Sequence, residues 1–184
     1  MPAGRINQTM FIGPRSDIEE MNESSLYKGG ELGSQIQTTK GKGYQLVKLD
    51  SGATASTGAG VVADGDLAFW KDKDDYLVTN DKNQAFGGPS TSTTRNAVAG
   101  VFVAAVTAGN YCVIQQRGRH DAVKTDGGGD FAVGDFIVPK DDADAIGDRT
   151  AVGTAPPVTP VGRVAAAESG GFTACDLDMP MSNP

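Results

Sequence analysis

Glycine and proline set the first limit on what this chain can become. Its 184 residues include 25 glycines and 9 prolines, so a helix breaker falls at roughly every fifth or sixth position. That spacing argues against a helix bundle. The aliphatic residues agree, with 16 valines and 7 isoleucines against 7 leucines, because β-branched side chains pack well on a pleated surface. At 39% apolar residues the chain is too rich for wholesale disorder and has enough for one core of limited size. The expected fold class is all-β.

The segment 1–42 differs from the rest. It holds five basic and five acidic residues, so the whole net charge of −7 sits in 43–184. Ser16-Asp17-Ile18-Glu19 fits a capping box after Pro14, and Gly29-Gly30 supplies a stop, which predicts one short helix at about 17–27. A helix that short is marginal alone in water and needs a surface to lie on. We therefore expect an extended N-terminal arm, 1–42, with spaced apolar anchors at Met10, Phe11, Ile12, Ile18, Met21, Leu26 and Tyr27. Those side chains either hold a neighbouring molecule or fold back on the arm's own domain.

From residue 43 the pattern is strand and turn. Apolar segments at 43–50, 66–71, 76–79, 97–107, 110–116, 120–125, 135–139, 150–154, 161–167 and 172–177 are separated by Gly- and Asp-rich turns. Short strands at that spacing predict a compact β-barrel or sandwich over 43–184, with 81–96 as a long exposed loop. A weak echo runs through it. Gly65-Asp66 and Gly134-Asp135 each follow an aromatic-led strand and precede an apolar strand and an acidic turn. Two similar β-modules would account for this, as would convergent turn chemistry.

No constellation of catalytic or ligating residues stands out. The single histidine, His120, has no Gly-x-Ser-x-Gly elbow to serve and is expected to stand exposed at a strand edge. One histidine and two cysteines 63 positions apart, Cys112 and Cys175, do not make a structural zinc site. Those cysteines are read as buried free thiols, with a disulfide as the alternative. Asp141–Asp148 alternates carboxylates, yet Ile146 and Gly153 stand where a calcium loop needs oxygen ligands, so solvated turns are expected there and at Lys71–Asp75. Gly127-Gly128-Gly129-Asp130 runs on into a strand pattern, not the helix a phosphate cradle requires. No catalytic residue, cofactor or metal is expected.

The charge bounds the partners. Basic groups do not cluster, so the acidic surface disfavours nucleic acid and anionic membranes. The longest nearly apolar run, 97–108, is too short to span a bilayer as a helix. Met1–Asn7 has no apolar signal region, and export by that route is not expected.

The stretch from Gly109 to Met179 resembles the capsid cement, or decoration, proteins of tailed phages. The resemblance rests on Ala108–Gly118, Gly134-Asp135-Phe136-Ile137-Val138, Ala151–Ala155, Val161-Gly162-Arg163-Val164-Ala165 and Asp176–Met179. Gly43–Asp50 is similar to that family's opening strand. The resemblance implies a small structural virion protein, not an enzyme, bound to the outer surface of the expanded capsid and present in the host cytoplasm during assembly. It implies two kinds of partner, the major capsid protein and the protein itself as a homotrimer or homodimer. The arm would lie in an intersubunit groove or add to a sheet edge. A different class of function is a receptor- or carbohydrate-binding module of a head fibre or tail, with Trp70, Tyr76 and the 81–96 loop as a sugar platform. The competing reading of Trp70 is core packing among Leu67, Phe69 and Leu77.

Overall fold

The computed structural model describes residues 9–10, 32–53, 61–81, 85, 98–125, 127, 131–139, 147–150 and 160–179, with backbone only at 9–10 and 147–150. The predicted helix at 17–27, most of the 81–96 loop and the acidic stretch 141–146 lie outside the described residues.

The described residues form thirteen strands and no helix. They are β1 (Thr9–Met10), β2 (Gln35–Gln37), β3 (Gly43–Leu49), β4 (Val61–Val62), β5 (Leu67–Asp72), β6 (Leu77–Thr79) and β7 (Val98–Phe102). Then follow β8 (Val106–Thr107), β9 (Tyr111–Lys124), β10 (Phe136–Pro139), β11 (Gly147–Thr150), β12 (Gly162–Val164) and β13 (Phe172–Asp178). β3, β6, β5, β7 and β9 close into a five-stranded mixed barrel. The β3–β6 pair is parallel and the other four pairs are antiparallel. Closure removes the exposed edges that a short-stranded sheet would otherwise present.

The barrel explains why several strands lack clean alternation. In β5, Ala68 and Trp70 face the barrel interior with Val47, Phe102 and Ile114, while Leu67 and Phe69 face a second core outside. A strand buried on both faces reads as a continuous apolar run. Tyr76 is the one non-glycine at positive φ (52°) among the described residues, and its ring packs edge-on to Trp70 with centroids 6.5 Å apart. The same ring occupies the space a Cβ would need at Gly33 (φ 84°). Burial of a large aromatic offsets the backbone cost of that conformation.

Two expected strands are one. Segments 110–116 and 120–125 join in the 14-residue β9, because Gly118 (φ 78°) lets the chain kink without breaking the ladder. Along its first half β9 pairs with β3, and along its second half with β13. From β13 the sheet continues through β12 and β10 to β11. A second core fills the space between this extension and the barrel's outer face, with Ile137, Val164, Cys175 and Leu177 meeting Leu67, Phe69 and Val101. At the other end Ile36 of β2 is wholly buried with Tyr44, Leu46 and Val113, so the sheet begins upstream of residue 43. β1 lies outermost, parallel to β2, with Met10 in register with Ile36.

The two Gly-Asp turns have the same wiring. The Ala63 amide donates to Asp66 Oδ2 (3.0 Å) and the Ala132 amide to Asp135 Oδ2 (2.9 Å). The Gly65 amide donates to the Phe102 carbonyl and the Phe102 amide to the Asp66 carbonyl, at 2.9 and 3.0 Å. Gly134, Val164 and Asp135 repeat that exchange at 2.8 Å in both directions. Both glycines need positive φ (85° and 95°), which other residues adopt only at a cost.

Candidate functional site

Among the described residues, a group of ionisable side chains gathers where the first Gly-Asp turn sits on β9. The Gly65 carbonyl accepts from the Lys124 amide (3.0 Å), which seats the turn against the strand backbone. Lys124 Nζ then lies 3.2 Å from Asp66 Oδ1, and Asp66 is wholly buried. Two residues earlier in the turn, Asp64 Oδ1 lies 3.6 Å from His120 Nε2. The Ala122 amide donates to His120 Nδ1 (3.3 Å), which assigns the neutral ring's proton to Nε2, facing Asp64. His120 is therefore not the exposed strand-edge residue expected from sequence. It is 4% exposed, because the turn folds over the β9 face that carries it. The arrangement pins a turn to a strand by one charge pair and one imidazole–carboxylate contact.

Among the described residues no group of three or more His, Cys, Asp or Glu side chains is placed to hold a metal ion. Lys71–Asp75 forms a turn in which Asp72 Oδ1 accepts from the amides of Asp74 and Asp75. Lys71 Nζ pairs with Asp50 Oδ2 at 2.7 Å. These contacts are turn and cross-strand chemistry.

Cys112 and Cys175 are free, wholly buried, and belong to different cores, which removes the disulfide alternative. Burial, then the nearby Asp176 charge, pushes the Cys175 thiol from 9.0 up to about 12, and burial pushes Cys112 up as well. That rise lowers the thiolate fraction about 1000-fold, so native protein at pH 8 should react with a thiol-disulfide reagent at least 100-fold more slowly than unfolded protein. The same shift makes a stability prediction. Below pH 9 the thiol is protonated in both states and its contribution is intact. Between pH 9 and about 12 only the unfolded chain ionises, so Cys175 lowers stability across that window, by about 1 kcal/mol at pH 10. Urea melts of wild type and Cys175→Ala at pH 8 and pH 10 measure it, and equal pH losses in the two proteins would sink the idea.

Of the sequence-derived anchor residues, Met10 falls in β1; Phe11, Ile12, Ile18, Met21, Leu26 and Tyr27 lie outside the described residues. Trp70 is core, as is Tyr76, so neither ring is available as a stacking platform. The exposed large apolar side chains among the described residues are Val133, Phe172 and Val61. Phe172 is 41% exposed at the start of β13, and Arg163 stacks 4.0 Å over the Phe136 ring. Sequence reading passed over Phe172 because one aromatic after two glycines looks like an ordinary strand start. Its exposure on the folded sheet is what the local sequence does not reveal.

No family model, curated protein or solved structure matches this chain.

Proposed function

We propose that this protein is a structural virion component that binds the outside of an expanded phage capsid and cements neighbouring major capsid subunits. The observation that carries the reading is where the resembling residues fall. Tyr111–Gly118 begins β9, Asp176–Asp178 ends β13, Gly162-Arg163-Val164 is β12 and Phe136-Ile137-Val138 lies in β10 after the second wired turn, so these segments fall on four successive strands of the sheet, while Ala151–Ala155 lies outside the described residues. In support, Asp66 and Lys124 are engaged in holding turn and strand together. The net charge of −7 suits a surface kept off packaged DNA. The N-terminal chain already supplies a strand, β1, to a sheet edge, which is how an extended arm engages a partner. The protein itself, as a homodimer or homotrimer, is the second partner in this reading.

Co-sedimentation with expanded shells of the cognate major capsid protein tests it. The full chain should bind saturably, and a full-length Phe11→Asp/Ile12→Asp variant should bind at least 10-fold more weakly. If the wild-type chain stays in the supernatant at all shell concentrations, the cement reading is wrong. A receptor-binding module of a fibre or tail then becomes the leading reading.

A further inference from the structure

The contacts Lys71–Asp50 and Lys124–Asp66 differ in kind. Lys71 Nζ donates to Asp50 Oδ2 at 2.7 Å, an aligned ion pair between two partly exposed side chains. Lys124 Nζ stands 3.2 Å from Asp66 Oδ1, yet Oδ1 accepts no hydrogen bond among the described residues. Nitrogen and carboxyl touch without the hydrogen bond that holds an ordinary ion pair in place. Asp66 is wholly buried, and charges so placed carry a desolvation cost that their attraction recovers only with good geometry.

The backbone fixes both residues at this contact. The exchange between Phe102 and the Gly65-Asp66 pair ties the turn to β7. On β9, Lys124 stands in register with Phe172 of β13 and donates its amide to the Gly65 carbonyl. The Ala63 amide, 3.0 Å from Asp66 Oδ2, sets the carboxyl group's orientation. These bonds complete the turn without the lysine side chain. Groups held in contact by a rigid frame react as though highly concentrated, which lowers the barrier to condensation.

We infer that Lys124 Nζ and Asp66 Cγ become joined by an amide bond once the chain has folded, a covalent cross-link independent of the function proposed above. The ammonium passes one proton to Oδ1, the carboxylate oxygen beside it, leaving a neutral amine and a carboxylic acid. The amine lone pair attacks Cγ and the N–Cγ bond forms. Negative charge develops on Oδ2, where the Ala63 amide already stands as a donor, the geometry that stabilises a tetrahedral intermediate. The Cγ–Oδ1 bond then breaks, and the hydroxyl leaves with a second nitrogen proton as one water molecule. Oδ2 becomes the amide oxygen, one hydrogen stays on nitrogen, and the balance needs no co-reactant. The Lys124 side chain is 21% exposed, so the water has a way out. Two buried charges give way to one neutral amide, which ends their desolvation cost. The link joins residues 66 and 124 as a disulfide would, restricting the unfolded chain. Cys112 and Cys175 lie in different cores and supply no such staple.

The mass of the intact, folded full-length protein tests this. Wild type should weigh one water less than its chain mass, with Met1 either retained or removed. Protease digestion should release a branched peptide that joins the segments carrying Asp66 and Lys124. Lys124→Arg keeps the positive charge on a guanidinium, which is no nucleophile here, and should show the full mass and no branched peptide. A wild-type chain still at full mass after prolonged incubation in the folded state overturns the inference. So does a missing water that persists in Lys124→Arg, because an Asp-Gly step such as Asp64-Gly65 loses water by closing to a succinimide. If melting curves show that Lys124→Arg does not fold, the wild-type digest decides: the branched peptide establishes the link and its absence refutes it.

Discussion

Gly65→Val is expected to destabilise the fold by at least about 4 kcal/mol, enough to leave much of the protein unfolded at 37 °C. Two independent costs add. Gly65 has φ 85°, a conformation that charges a β-branched residue about 1–2 kcal/mol. A Cβ there would also overlap the Ala122 carbonyl oxygen, which is backbone within a central strand and cannot swing aside. Relief requires lifting the turn off β9. That breaks the bond from the Lys124 amide to the Gly65 carbonyl and draws the buried Asp66 carboxylate away from Lys124. Gly41→Ala is the control, because Gly41 has a similar φ of 76° with nothing within 4 Å of a Cβ. It should cost only the conformational part, about 1 kcal/mol. Denaturant melts of both variants decide between strain and collision, and costs that agree to within about 1 kcal/mol would disprove the seated-turn account.

The contrast between these two glycines shows where sequence reading stops. Both sit in turn-like sequence, and nothing nearby in the chain tells that Gly65 carries a strand on its back. That strand is the stretch around Ala122, far downstream in the chain. The all-β class, by contrast, was legible because it rests on local preferences: the valine and isoleucine excess and the glycine spacing act within each segment. Most strand positions were legible for the same reason. What failed was local reading of long-range facts. His120 looked solvent-exposed between Arg119 and Asp121, yet it is buried, with the distant Asp64 of the first Gly-Asp turn against its ring. Gly118 looked like a strand terminator, yet it is a kink inside β9, where a missing Cβ lets the Gly41 carbonyl approach within 3.1 Å of the Cβ position. Barrel closure through the parallel β3–β6 pair left no mark, since parallel partners need no shared turn.

Phe102→Ala should cost about 3–5 kcal/mol, the range for deleting a large aromatic from a site that cannot collapse. Phe102 is among the largest side chains that are wholly buried, and it lies in the barrel core with Trp70, Val106 and Ile114. Its surroundings are held by backbone on two sides, the ladder to Ile114 and the reciprocal bonds to Gly65 and Asp66, so they cannot move in to fill the space. Val164, which makes the same backbone exchange with the second Gly-Asp turn, is smaller, and Val164→Ala should cost about 1–2.5 kcal/mol by the volume removed. Phe172→Ala removes the same atoms as Phe102→Ala from a half-exposed position and should cost less than about 1 kcal/mol. The order Phe102, Val164, Phe172 in urea melts therefore separates what the barrel needs from what its surface offers. A Phe102→Ala loss well under that range, below about 2 kcal/mol, would mean the barrel interior can repack. A Phe172→Ala loss above about 2 kcal/mol would make that ring structural.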